Sequence, residues 1–226
     1  MDGSREPVIT IDGPAGAGKS TIARLLAERL GYRLLDTGGM YRAVAWSVAR
    51  AGIDASDEAA IARHLEGLTL VLDGDRFFVN GQDVTNLIRT PEIGALTSRI
   101  TAYAAVRDAV TPLQRALAAR GGVVLEGRDT GTVVCPKADV KFFLHAAIET
   151  RARRRQAELA AAGRPVSMDE VREEIAVRDR QDTTRALAPL RRAHDAIDVD
   201  TSDRSTEEVL AVMLEAVERQ RCCTRS

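Results

Sequence analysis

Gly13-Pro14-Ala15-Gly16-Ala17-Gly18-Lys19-Ser20 stands between the β-branched run Val8-Ile9-Thr10-Ile11-Asp12 and the stretch Thr21-Ile22-Ala23-Arg24-Leu25-Leu26-Ala27-Glu28-Arg29-Leu30. The last stretch has apolar residues at 22, 25, 26 and 30, a helical spacing, and Gly31 follows as a C-cap. The eight central residues fit G-x-x-x-x-G-K-[ST], and strand, glycine-rich turn and helix are the context in which that pattern makes a phosphate site. Glycines let the backbone wrap until successive N–H groups point at phosphate oxygens, and the positive end of the helix dipole adds to the attraction. Lys19 reaches toward β- and γ-phosphates, and the Ser20 hydroxyl is placed to ligate magnesium. The segment predicts a nucleoside triphosphate site formed by Asp12, Gly13, Pro14, Ala15, Gly16, Ala17, Gly18, Lys19, Ser20 and Thr21.

Outward from this loop, the 226 residues suffice for one well-packed core with a small inserted module. A composition of 45% hydrophobic and 29% charged residues is that of a soluble globular protein. The formal net charge of −1 gives no bulk reason to expect nucleic acid or an anionic membrane as partner. No apolar run approaches a membrane span, and Met1-Asp2-Gly3-Ser4-Arg5-Glu6-Pro7 lacks the apolar stretch of a signal peptide. Cys135, Cys222 and Cys223 make neither a disulfide framework nor a metal-ligand spacing, so a reducing, cytoplasmic location is expected. No coiled-coil pattern or long apolar face suggests more than a monomer.

Five segments read as short buried strands: Val8 to Asp12, Arg33 to Asp36, Val123 to Glu126, Val140 to Leu144 and Ala196 to Asp200. Helical patterns lie between most of them, predicting an α/β fold with a parallel five-stranded sheet and helices on both faces. One stretch breaks the alternation. Leu68-Thr69-Leu70-Val71-Leu72 leads to Asp73-Gly74, and Phe77-Phe78-Val79 to Asn80-Gly81, which predicts a small antiparallel sheet. Thr90-Pro91 opens a helix after it. Residues 52–104 therefore read as an insertion into a core made of 1–51 and 105–226. Ser167-Met168-Asp169-Glu170 and Ser205-Thr206-Glu207-Glu208 have the form of capping boxes.

A nucleotide-binding loop does not name the acceptor. Planar guanidinium forks suit phosphate oxygens better than lysine does, and Arg42, Arg107, Arg128, Arg178 and Arg185 lie at element ends or on polar helix faces. Thr37 and Arg42 follow the second strand and would face the crevice beyond the sheet's carboxyl edge. Glu126-Gly127-Arg128-Asp129-Thr130-Gly131 ends the third strand, where a carboxylate and an arginine read a base edge and a phosphate or pair with each other. Arg178, Asp182 and Arg185 are spaced to share one helical face, which by itself is either a salt-bridged surface or a binding face. Arg151, Arg154 and Arg155 follow the fourth strand.

With these pieces placed, the chain resembles the bacterial cytidylate kinases, P-loop nucleoside monophosphate kinases, over nearly its whole length. The match is carried by Ile11 to Ser20, Leu35-Asp36-Thr37-Gly38, Met40-Tyr41-Arg42, Thr184-Arg185-Ala186 and, most diagnostically, Glu126-Gly127-Arg128-Asp129-Thr130-Gly131-Thr132-Val133-Val134. The resemblance implies magnesium-dependent transfer of the ATP γ-phosphoryl group to CMP or dCMP, the insertion being the monophosphate-binding module and residues 150–168 a helical lid. It assigns cytosine contacts to Ser98, Arg107 and Asp129, acceptor-phosphate contacts to Arg42, Arg128 and Arg185, and ribose contacts to Arg178 and Asp182. Thr37 stands where the family often has serine. Arg151, Arg154 and Arg155 become lid arginines at the triphosphate, and Lys19, Arg128, Arg155 and Arg185 the catalytic cations. Because the acceptor is itself a phosphate, no general base is required.

Three rivals stand beside this reading. A GTPase would use Asp36-Thr37-Gly38-Gly39 and Lys137-Ala138-Asp139, but the first lies too near the phosphate loop to leave room for a switch segment. A kinase acting on a hydroxyl needs a carboxylate base, for which Asp36 is the candidate. A nucleotide-sensing regulator would have kept the fold and lost turnover, against which the intact Lys19, Ser20 and arginine set argues.

Overall fold

The computed structural model describes residues 5–161 and 163–223. The chain runs β1 (Val8–Asp12), α1 (Lys19–Leu30), β2 (Arg33–Asp36), α2 (Thr37–Arg50), α3 (Glu58–Leu65), β3 (Leu70–Asp73), β4 (Arg76–Val79), β5 (Gln82–Asp83) and α4 (Pro91–Ile100). It continues through α5 (Ala104–Ala118), β6 (Val123–Gly127), β7 (Val140–His145), α6 (Ile148–Ala161), α7 (Met168–Thr184), β8 (Ile197–Asp200) and α8 (Thr206–Cys223). Five strands form one parallel sheet in the order β2-β6-β1-β7-β8. These are the five expected strands. β1 sits at the centre with every residue buried, which is why it reads as an unbroken β-branched run rather than an alternating one.

The two faces of the sheet carry two cores. Ile9, Ile11, Phe142 and Leu144 pack on Leu26 of α1 and on Met213 and Val217 of α8. Val8, Leu35, Val123 and Leu125 pack the other way, on Met40, Val44 and Val48 of α2 and on Val106 and Val110 of α5. Each such fully buried side chain contributes about 1.5–3 kcal/mol. A third, small core of Ala152, Leu159, Val171 and Ile175 joins α6 to α7.

The antiparallel sheet exists and gains a short third strand, in the order β3-β4-β5, because the two-residue turn Asn80-Gly81 (φ 49° and 80°) turns the chain back once more. Phe77, Val79, Val84, Ile88, Ile93 and Ile100 of this segment lie in the same hydrophobic cluster as α2 and α5. Both capping boxes form: Ser167 and Glu170 exchange bonds at the start of α7, and Ser205 and Glu208 do so before α8. Among the described residues no helix is long and apolar enough to cross a membrane, and Cys135 carries a free thiol. The side chains of Cys222 and Cys223, like residues 1–4, lie outside the described part.

One expectation is corrected. Arg185 does not continue the helical face of Arg178 and Asp182, because α7 ends at Thr184 and Arg185 is its C-cap with φ −59° and ψ 141°. The cause is local. The Thr183 and Thr184 hydroxyls donate to the carbonyls of Asp179 and Arg180, each at 2.7 Å, drawing acceptors away from the helical ladder.

Candidate active site

The carboxyl ends of β1, β2 and β6 open into a cleft of about 640 Å³ whose walls also come from α4, α5, α6, α7 and the start of α8. This is the crevice that open parallel sheets offer to ligands. The phosphate loop forms its floor. Gly13 has φ +149°, and a Cβ there would stand 1.9 Å from the Leu144 carbonyl oxygen, so no other residue fits against β7. Asp12 turns away from the cleft. Its buried carboxylate accepts the amides of Thr130 and Gly131 at 2.8 and 2.7 Å and the Thr130 hydroxyl at 2.8 Å. That brace fixes a single π-helical turn, Thr130–Val134, directly after Asp129. Burial pushes the Asp12 carboxyl up despite those three donors.

Ala15 through Thr21 line the cleft, and Lys19 is 4% exposed with its Nζ donating to the Pro14 carbonyl at 2.7 Å. Burial, with Arg128 beside it, lowers the Lys19 ammonium from 10.5 to about 7. Ser20 Oγ donates to Glu126 Oε1 at 2.6 Å, joining the first helical turn to the end of β6. Two hard oxygen donors therefore sit side by side at the loop, a set that suits magnesium together with phosphate oxygens. Among the described residues no three His, Cys, Asp or Glu side chains cluster to hold a metal unaided.

The opposite wall is a lattice of guanidinium and carboxylate groups. Buried Asp129 pairs with Arg107 and lies 3.6 Å from Arg185 Nη2. Asp182 accepts from Arg128 Nε at 2.9 Å and lies 3.8 Å from Arg185 Nη1. Burial raises the Asp182 carboxyl, but Arg128, Arg178 and Arg185 together outweigh it and the net shift is downward. Arg185 Nε is fixed on the Ala188 carbonyl at 2.7 Å. Tyr41 lies beneath Arg107, with the guanidinium carbon 5.6 Å from the ring centroid. Thr37 Oγ1 donates to the Glu126 carbonyl at 2.5 Å, and Ser98 Oγ to the Gly94 carbonyl at 3.3 Å. Three buried guanidinium nitrogens, Arg107 Nη1, Arg178 Nε and Arg185 Nη2, have no hydrogen-bond partner. Burial, reinforced by Arg128, lowers Arg178 to about 10. Arg42 is lowered too, by burial, with Asp36 opposing and Arg89 close by.

Thr37, Arg42, Ser98, Arg107, Arg128, Asp129, Arg178, Asp182 and Arg185 thus all reach one cleft, facing Lys19 and Ser20. Arg154 lines it while bound to the Thr201 hydroxyl and carbonyl at 3.0 and 2.6 Å, and Arg155 lines it with Glu158 and Glu174 at 3.3 and 3.8 Å. Arg151 does not line it. The residue is 7% exposed and lies behind the phosphate loop, because its Nε and Nη1 are taken by the Ala146 and Ala15 carbonyls and by Asp179. The sequence reading passed over Arg89, which enters the cleft from the 3₁₀ turn Leu87–Arg89 and donates to Asp36 Oδ2 at 2.8 Å. Tyr41 falls in Met40-Tyr41-Arg42, where the sequence alone gives it no role. Ser205 and Thr206, at the donor-side rim, are marked in the sequence only by the capping pattern, and Arg204 beside them by nothing.

The family model for cytidylate kinase matches residues 9–219. The cytidylate kinase of Geobacter sulfurreducens is 52% identical over 223 residues, covering 97% of this chain and 95% of that protein. That of Geobacter sp. strain M21 is 50% identical over 217 residues, 94% of this chain and 93% of the relative. Among solved structures, a gluconokinase from Sinorhizobium meliloti superposes with a TM-score of 0.50 at 16% identity, over 98% of this chain and 99% of its own, a likeness of fold alone. A glycine-rich loop facing a wall of arginines, and a match that runs from the first strand into the last helix, place this chain in the cytidylate kinase family.

Proposed function

We propose that this protein transfers the γ-phosphoryl group of ATP to the phosphate of CMP and dCMP, giving CDP and dCDP. The observation that carries the reading is the trio of buried guanidinium donors left without acceptors on the wall opposite Lys19. A buried donor without a partner costs about 1–3 kcal/mol, so the wall is built to be completed by an oxygen-rich, doubly charged ligand. Arg42, Arg128 and Arg185 take the acceptor phosphate, Arg178 and Asp182 the ribose, and Ser98, Arg107 and Asp129 the base. Thr37 closes the pocket floor. Asp129 is the group that tells cytosine from uracil, because a carboxylate accepts from an amino group and repels a carbonyl oxygen. The segment 52–104 serves as the acceptor module, and 150–168, with Arg154 and Arg155, as a lid over the triphosphate.

The chemistry then needs no proton acceptor. The acceptor oxygen is already charged near neutral pH, so the protein's work is to hold two polyanions in line and neutralise charge as the phosphoryl group passes between them. Main-chain amides of the loop and Lys19 hold the donor, and the guanidinium wall holds the acceptor. Magnesium would be held by Ser20 and Glu126 with the ATP phosphates, where it supplies charge neutralisation on the donor. Residues 150–168 exclude water, the competing acceptor. Asp36 is unsuited to act as a base for a hydroxyl substrate, since Gly39 N–H and Arg89 occupy its two oxygens at 2.7 and 2.8 Å. The same reading sets the reaction in the cytoplasm, on a monomer that binds neither nucleic acid nor membrane.

The test is ADP release measured with CMP, dCMP, UMP, AMP and a sugar. Turnover with the two cytidylates and little with the others is expected. Faster turnover of the sugar, or none with CMP, overturns the reading.

A further inference from the structure

Arg151 is read from sequence as a hand that closes on the triphosphate, and it is engaged elsewhere. Its Nη1 donates to the Ala15 carbonyl at 3.2 Å and to Asp179 Oδ2 at 2.6 Å, while its Nε donates to the Ala146 carbonyl at 3.0 Å. The backbone behind the loop is equally tight: a Cβ on Gly16 would stand 3.0 Å from Arg151 Cβ and 3.2 Å from its carbonyl oxygen. In a planar trans peptide the C=O and the next N–H point in opposite directions. Drawing the Ala15 carbonyl back onto Arg151 therefore turns the Gly16 amide the other way, and Gly16 lines the cleft. The partner that holds Arg151 belongs to α7. Asp179 follows Arg178 and precedes Asp182 by three residues, and both of these line the acceptor half of the cleft. Asp179 Oδ1 has no hydrogen-bond partner, so the contact with Arg151 carries the whole engagement of that carboxylate.

On the reading that ATP and CMP are the ligands, we propose that Arg151 and Asp179 are positioning residues that couple the two halves of the site. Ordering the acceptor on α7 sets Asp179, Asp179 sets Arg151, and Arg151 aims the Gly16 amide at the donor phosphates. Reciprocity follows, since a free energy that makes ATP tighten CMP makes CMP tighten ATP equally. Arg151 then acts through the loop and touches no phosphate itself.

Calorimetry of CMP binding, alone and with a non-hydrolysable ATP analogue and magnesium, tests this in the unmodified protein, in Asp179→Asn and in Arg151→Lys. In the unmodified protein the analogue is expected to tighten CMP by at least about fivefold, the lower end of measured couplings. In both variants that factor should fall to about one to two, with each nucleotide alone losing less than the pair loses together. A merely structural ion pair would lower the melting temperature and leave the factor intact, and that result sinks the proposal. So does an unmodified protein that binds both nucleotides without coupling, a result that leaves the proposed reaction standing. A protein that binds no CMP at all removes both. Hydrogen exchange decides the matter even where the variants fold poorly. CMP alone should slow exchange in the peptide spanning Ala15 to Ala17 of the unmodified protein, and unchanged exchange there refutes the coupling.

Discussion

Replacing Lys19 with methionine should make the unliganded protein more stable and useless as a kinase, by an amount that depends on pH in a predictable way. Lys19 is 4% exposed, and burial first, then Arg128, depress its ammonium from 10.5 to about 7. Below pH 7 the folded and unfolded chains both bind this proton, and the fold carries the full cost of a buried cation. Between about 7 and 10.5 the folded protein gives the proton up while the unfolded chain keeps it, so stability rises with pH. The sign is that of a base whose folded value is lowered. At 1.36 kcal/mol per pH unit, the cost is about 5 kcal/mol at pH 6, about 3 at pH 8 and about 1 at pH 10. Methionine fills similar space and carries no charge. It also leaves the Pro14 carbonyl, bonded to Lys19 at 2.7 Å, without its donor, which subtracts about 1 kcal/mol.

The assay is chemical denaturation of Lys19→Met and of the unmodified protein in parallel, without nucleotide, at pH 6, 8 and 10. Taking the difference at each pH cancels every group the two proteins share. The variant should lead by about 3–4 kcal/mol at pH 6, and the lead should shrink to near zero at pH 10. A difference that does not change with pH, or an unmodified protein that is the more stable at pH 6, would refute the reasoning. It would mean that Lys19 keeps its charge at little cost.

Arg185→Ala should leave the fold intact and lower kcat by about 10²–10³, the loss expected for one well-placed charge donor, checked by ADP release alongside a melting curve. Asp129→Ala should lower the preference for CMP over UMP in kcat/KM by at least about tenfold, and an unchanged ratio would remove Asp129 from base recognition. Asp36→Asn keeps the helix cap, since asparagine serves there as well as aspartate, but loses the ion pair to Arg89. It should raise KM for CMP severalfold with kcat nearly unchanged and cost less than about 1 kcal/mol in stability, because Arg89 is half exposed. A kcat loss equal to the KM effect would place Asp36 in the chemistry instead.

The phosphate loop and the five central strands were legible because main-chain geometry dictates them. Only glycine survives against the Leu144 carbonyl at position 13, and a strand covered on both faces, as β1 is, reads as a mostly β-branched run in which even Thr10 and Asp12 are buried. The acceptor wall was not legible in the same way. With 32 Lys+Arg of which three are lysine, arginine is too common here for any one to be marked by its identity. Arg151 and Arg155 lie one turn apart on the same side of α6, yet the first reaches the back of the phosphate loop and the second reaches Glu158 and Glu174. A stretch such as Arg151-Ala152-Arg153-Arg154-Arg155 carries no pattern that tells which arginine reaches the phosphate loop. Arg89 was invisible for a different reason. It enters the site from an irregular turn, and its partner Asp36 lies 53 residues away in the chain.

The same placement explains why the acceptor half is built from pairs rather than from bare cations. Six guanidiniums, of Arg42, Arg89, Arg107, Arg128, Arg178 and Arg185, face three carboxylates, of Asp36, Asp129 and Asp182, around one half of the cleft. Six bare cations that close together would repel one another and swell the site open. With three carboxylates interleaved, the surplus is three positive charges, enough to attract a dianion and small enough to leave the empty site closed-packed. The carboxylates also fix direction. Asp129 and Asp182 each hold an arginine by one edge, so the free edges of those forks are aimed before any ligand arrives. An incoming phosphate then meets donors already oriented, and the ordering entropy has been met by folding rather than by binding. Lysine serves less well here, because its three donors rotate about one bond and are not held in a fixed planar fork. The lattice is therefore a device for keeping charge both concentrated and directed, while Lys19, beside Arg128, gives its hydrogen bond to a carbonyl of its own loop.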